Sequence, residues 1–154
     1  FSDDVCVLKP YQQSEKTVEA IASYPMMKLW DDTINVLNDD QFEKKHKIRP
    51  EMEKYSHFFH SSFDRKAYPI KKLFFLHPVD ENIQYESRKV SGLEAFEWLG
   101  KNTYRRQFIL DHEMQRLHLE SISKLISTAE ILIKKKKKNE SDISSFTDFV
   151  EKYI

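Results

Sequence analysis

Residues 70–76, Ile-Lys-Lys-Leu-Phe-Phe-Leu, constrain the fold more than any other stretch of the chain. Leu73, Phe74, Phe75 and Leu76 follow one another without polar interruption, so a strand built from them presents apolar groups on both faces. That pattern predicts an interior strand covered on each side. His77-Pro78-Val79-Asp80-Glu81-Asn82 then reads as a turn, and residues 83–90 as an edge strand.

The other elements are read from shorter signals. Val5 to Leu8 reads as a short buried strand with Cys6 as a small core residue, and residues 17–23 as a second strand. Tyr24-Pro25 makes a turn, because proline fixes its own backbone and biases the residue before it to extended geometry. Asp31 or Asp32 is placed to cap a helix reaching Leu37. A polar surface loop follows, ended by Ile48-Arg49-Pro50, and residues 51–68 read as irregular with a strand near 55–59. Ser91-Gly92-Leu93-Glu94 has the form of a capping box and opens a helix predicted to run to about Phe108, with Leu93, Phe96, Leu99 and Thr103 on one face. A second helix carries Leu110, Met114, Leu117, Ile122, Leu125, Ile126 and Ala129. After a short strand at 131–133, the lysine run at 134–138 reads as a solvated loop, and Ser141 or Asp142 starts a last helix ending near Ile154.

Composition narrows the function classes. The chain has 154 residues, 40% of them hydrophobic, enough for one domain with a core. Lysine plus arginine and aspartate plus glutamate are 25 each, so no global basic field exists to attract nucleic acid. One cysteine excludes an internal disulfide and a cysteine-based zinc site, and a reducing cytoplasm is the simplest compartment. No apolar stretch approaches the roughly 20 residues that span a bilayer. With only two glycines, Gly92 and Gly100, the chain holds no glycine-rich phosphate loop. The six histidines show no metal-ligand spacing and read as surface or capping residues, and no Ser-His-Asp order is present. Trp30 and Trp98 read as core or groove aromatics.

The chemistry-bearing candidates are few. Asp3 and Asp4 are adjacent carboxylates at the mouth of a strand, an arrangement that Mg²⁺ with bound phosphates would compensate. Read as a metal site, one acid stands near the ion and the other orients a water or a substrate hydroxyl; on sequence chemistry alone a solvated terminus or turn is the better reading, because adjacent aspartates are common. Arg49 and Lys54 flank Pro50 and can clamp phosphates or be ordinary surface cations. Lys28, in Tyr24-Pro25-Met26-Met27-Lys28-Leu29-Trp30, has the same two readings.

In order along the chain, Phe1-Ser2-Asp3-Asp4-Val5-Cys6-Val7-Leu8, Tyr24-Pro25-Met26-Met27-Lys28-Leu29-Trp30, Ile48-Arg49-Pro50 with Lys54, Pro69-Ile70-Lys71-Lys72-Leu73-Phe74-Phe75-Leu76, Ser91-Gly92-Leu93-Glu94-Ala95-Phe96 and Asn102-Thr103-Tyr104-Arg105 resemble the HPr kinase/phosphorylase-like serine kinases. That family shares the nucleotide-binding core of phosphoenolpyruvate carboxykinase. The resemblance implies an α/β fold: part of a carboxykinase-like P-loop core over residues 1–90, then a helical C-terminal subdomain of the same domain over residues 91–154. It implies ATP and Mg²⁺ as cofactors, Asp3 and Asp4 as catalytic acids with Asp4 on the metal, and Arg49 and Lys54 as phosphate contacts. The partner is then a small protein or peptide carrying an acceptor serine. The glycine-bearing signature that family members carry after the acidic pair is absent, which argues against HPr itself as acceptor.

In the family a Walker A loop precedes the acidic pair, so the chain is read as the C-terminal part of a longer kinase, expected to bind ATP weakly or not at all by itself. An open sheet edge left by the missing half invites pairing with a second copy. A rival of another class is a non-catalytic binding or assembly module that keeps the scaffold without the loop. A weaker third is a phosphate- or nucleic-acid-binding domain using residues 134–138.

Overall fold

The strand that organises this molecule follows its longest helix, and the apolar run at 70–76 lies beside it. The computed structural model describes residues 3–9, 16–38, 40, 42–80, 87–137 and 143–152. In chain order the elements are β1 (Cys6–Leu8), β2 (Glu19–Ala22), β3 (Met26–Trp30), α1 (Asp31–Leu37), β4 (Lys54–Phe58), β5 (Ala67–Pro69), β6 (Lys72–Val79), β7 (Ser87–Val90), α2 (Gly92–Lys101), α3 (His112–Thr128), β8 (Glu130–Lys137) and α4 (Ile143–Glu151). A single 3₁₀ turn, Arg106–Phe108, separates α2 from α3. The fold is mixed α/β, with three small sheets: β1-β2-β5, β3-β4 and β6-β8-β7.

In the third sheet β8 is central. It runs parallel to β6, with Leu73 opposite Ile131 and Phe75 opposite Ile133, and antiparallel to β7, with Val90 opposite Ile131. A parallel pair needs a crossover, and the chain makes it through β7, α2 and α3. Strand alternation then sends side chains to two layers. Ile131 and Ile133 pack with Val90, Ala95, Leu73, Phe75, Trp98, Leu99 and Ile126 beneath α2 and α3. On the opposite face Phe74 meets Phe149 of α4 edge to face at 5.6 Å. Glu130 draws the two outer strands together at the start of β8, through Lys72 at 3.7 Å and Lys89 at 3.5 Å.

Several expectations change here. The 70–76 run has cover on both faces from Leu73 to Phe75, but Leu76 is exposed and β6 is an edge strand, since among the described residues it pairs only with β8. A hydrophobic run reports the layers above and below a strand, not its lateral neighbours. The predicted turn at 77–80 is mostly strand: β6 continues through His77, Pro78 and Val79. An edge strand tolerates Pro78, because a missing N–H costs nothing on the open side. Residues 81–86 lie outside the described residues.

The lysine run is not a loop over its described part. β8 extends to Lys137, and Lys134 is only 5% exposed. Its ammonium stands 3.9 Å from the centroid of the Phe149 ring, a cation–π contact that offsets part of its desolvation. Burial still pushes the Lys134 pKa down, with Lys152 adding repulsion. Lys138 lies outside the described residues.

β1 is exposed at Cys6 and at Val7, so neither is a core residue. It lies at the edge of its sheet, paired to β2 alone. The capping signals are also reassigned. Ser91 is the N-cap of α2 but makes no side-chain cap bond, and Glu94 pairs instead with Arg88 on β7. Asp31 and Asp32 lie inside the first turn of α1, whose N-cap is Trp30. α2 stops at Lys101 and leaves Leu93 exposed. Asp111 caps α3 by accepting the Met114 N–H at 2.8 Å.

Truncating either layer should loosen the whole sheet. Ile131→Ala and Phe149→Ala are each expected to lower unfolding free energy by about 3 kcal/mol in urea titrations. An unchanged midpoint for Phe149→Ala would mean that α4 does not form the second layer.

Candidate functional site

The acid pair is built onto the open edge of the β3-β4 sheet. The ladder places Asp31 opposite Glu53 and Pro25 opposite Phe59, with the Asp31 and Phe59 N–H groups donating across it at 2.9 and 3.0 Å. That phase turns the Lys28 N–H away from β4. The Asp3 carboxylate accepts it at 2.7 Å and closes the edge. Asp4 follows with φ 57°, a left-handed conformation that aspartate tolerates better than most residues. Its carboxylate lies 2.9 Å from the Lys28 ammonium. The hydrogen bond that the Lys28 ammonium donates to Asp4 raises the Lys28 pKa, so Lys28 is a firm cation. One residue therefore anchors both acids, by its backbone and by its side chain.

Lys28, Trp30, Lys54 and Ser56 share one face, because Trp30 pairs with Lys54 and Lys28 with Ser56. The Lys54 ammonium rests over the Trp30 indole, 5.3 Å from its centroid. Trp30 is thus an exposed platform and not a core aromatic. Arg49 sits in the adjoining turn, closed by the Met52 N–H donating to its carbonyl at 3.1 Å. Ile48, beside it, donates its N–H to the Lys54 carbonyl at 2.9 Å. The structure thus puts Asp3, Asp4 and Lys54 on one small sheet, and Arg49 at its end. Among the described residues, no hydrogen bond or ion pair joins Arg49 or Lys54 to the acids.

Beside the acids opens a cleft of about 800 Å³, between the β3-β4 sheet and residues of β2 and β5. Asp3 is on its wall, with Met27, Phe42 and Phe59. Behind Phe42 lies His57, opposite Met27 in the ladder and edge-on to the Phe42 ring at 5.4 Å. The sequence reads His57 as a surface or capping residue, yet it is buried, and its Nε2 has no hydrogen-bond partner among the described residues. Desolvation pushes its pKa down, with His46 adding a smaller repulsion. The signal for its burial was the spacing Tyr55-x-His57, which puts both residues on the inner face of β4. His118 is also partly buried, its Nε2 2.9 Å from the Thr103 hydroxyl.

A nucleotide-bound Mg²⁺ takes one or two carboxylates and draws its other ligands from phosphates and water. Asp4, half-exposed, and the Asp3 oxygen not engaged by Lys28 meet that count. Among the described residues no group of three His, Cys, Asp or Glu side chains forms a fuller metal cage. No helix among them is long and apolar enough to cross a membrane. Comparison with protein-family models, with characterised proteins and with solved structures returns no match for this chain.

Two measurements check the site's construction. Asp3→Ala leaves a backbone donor unpartnered and should cost about 1–2 kcal/mol. Asp4→Ala removes an exposed ion pair and should cost under about 1 kcal/mol. Denaturant titration showing the reverse order would contradict the anchoring role of Asp3. For His57 the folded pKa lies below its ordinary value of 6.5, so the unfolded chain takes up the proton first as pH falls. The contribution of His57 to stability is therefore fully present above about pH 6.5 and declines as pH drops toward its folded pKa. His57→Leu should flatten that part of the pH–stability curve.

Proposed function

We propose that this chain carries the acidic pair of an ATP- and Mg²⁺-dependent phosphotransferase with a carboxykinase-like core, acting on a serine of a small protein or peptide. The observation that carries the reading is the anchoring of Asp3 and Asp4 through Lys28 at the lip of the cleft. Phosphoryl transfer asks a protein mainly for positioning and charge neutralisation. In this reading Asp4 holds the metal and Asp3 accepts the proton of the acceptor hydroxyl. Mg²⁺ with ATP supplies the transferable phosphoryl group and neutralises its charge. Lys28 holds the two carboxylates in place until substrate arrives, and Lys54 and Arg49 offer cations to phosphate oxygens. Gly92 and Gly100 both belong to α2, so the backbone cradle for the phosphates is not supplied by a glycine loop of this chain.

A second reading is a binding or assembly module that keeps the scaffold without chemistry. It is favoured by the Lys28–Asp4 ion pair, which already compensates the charge a metal would otherwise meet. The two readings part on one variant. Asp4→Asn should lower transfer from radiolabelled ATP by about a hundredfold or more. Unchanged transfer rejects the kinase assignment, and absence of transfer in the unmutated protein favours the binding module.

A further inference from the structure

The cleft has a chemical bias of its own. Among the described residues that line it are two carboxylates, Asp3 and Asp64, and no lysine, arginine or histidine. Phe59, Phe63 and Tyr68 add aromatic rings to the same lining, as does Tyr24, whose ring has the Lys28 ammonium 5.8 Å from its centroid. Asp64 is held in place: it accepts the Lys66 N–H at 2.8 Å and the Tyr68 hydroxyl. Those two bonds lower its pKa, so it is an anion at neutral pH. Asp3 is fixed by the Lys28 N–H. Carboxylates and ring faces both attract a cation, the rings through their quadrupoles, while the apolar lining takes a hydrocarbon body. The volume, about 800 Å³, lies within the range of small-ligand sites.

We propose that this cleft binds a protonated amine carried on an apolar body, its ammonium group directed to Asp3 and Asp64 and its body against the rings. A free small amine and the lysine side chain of a peptide share that chemistry. Either would lie beside the acid pair, since Asp3 belongs to both. The inference concerns binding alone and holds whether or not phosphoryl transfer takes place.

The test titrates the full chain, followed by amide NMR shifts, with 2-phenylethylammonium chloride and with its neutral counterpart 2-phenylethanol. In parallel, the acetylated and amidated peptide Ala-Lys-Ala is compared with the same peptide carrying norleucine in place of lysine. The expected result is at least tenfold tighter binding of the ammonium member of a pair, weakened by added salt, with shifts at Tyr24, Phe59 and Phe63. Asp64→Asn, which keeps a turn acceptor, should remove most of that preference. Should Asp64→Asn fail to fold, Phe59→Leu serves instead, keeping apolar volume while weakening the ammonium more than the alcohol. A preference confined to the peptide pair assigns the cleft to a lysine side chain, and one confined to the small amine assigns it to a metabolite-sized ligand. Equal affinity of charged and neutral members, or no binding of either, overturns the proposal.

Discussion

Burial of β8 on both of its faces is the constraint on which the C-terminal half depends. Its neighbours β6 and β7 satisfy its backbone laterally, and its side chains alternate between a layer under α2 and α3 and a layer under α4. A strand in that position exposes neither polar backbone nor apolar side chain, which is why the pattern Ile131-Leu132-Ile133 has no polar break. The demand reaches Lys134, whose position falls inside the same two-sided environment. Its ammonium answers with the face of Phe149, so this buried cation of the central strand also ties α4 down. The pairings of β8 with β6 and β7 also join residues on both sides of position 90 in a single sheet.

The N-terminal half works by a different economy. Its sheets are short, and their edges are closed by a few contacts: Asp3 on the Lys28 N–H, and the segment 46–48, joined by two backbone hydrogen bonds to the outer side of β4. Closing an edge with a carboxylate satisfies a donor and at the same time holds a charge at a fixed place, near a cleft with ring faces. Structural and chemical roles therefore coincide at Asp3, and an account of either must include Lys28. The left-handed backbone at Asp4 turns the second carboxylate back onto the same lysine.

Much of the element order could be read from local pattern. The strands near 6–8, 19–22 and 87–90, the helix that follows Ser91, and the C-terminal helix announce themselves by apolar spacing, proline and caps. What failed was any inference requiring knowledge of the neighbours. Lys134 reads as solvent-exposed because four lysines follow it, His57 as a surface or capping residue because its spacing to the other histidines suits no metal, and Ser91 to Glu94 as a capping box because the motif does not include Arg88 on the preceding strand. In each case a tertiary partner outweighed the local preference. The acid pair is the intermediate case: its chemistry was visible in two letters, but its anchor lay 24 positions further along the chain.

By itself, then, the sequence determined which segments are apolar on one face or on both, and which charged groups, Asp3, Asp4, Lys28, Arg49 and Lys54, stand near the chain's first strands and turns. Those properties follow from side-chain chemistry and from the periods of helix and strand. Only the tertiary structure decided that β8 and not β6 is central, that Lys28 joins the two acids, and that Asp3 and Asp64 line the same cleft. The physical reason is that strand neighbours and cleft walls are set by long-range packing and hydrogen-bond closure, and neither leaves a periodic trace in the residues that take part.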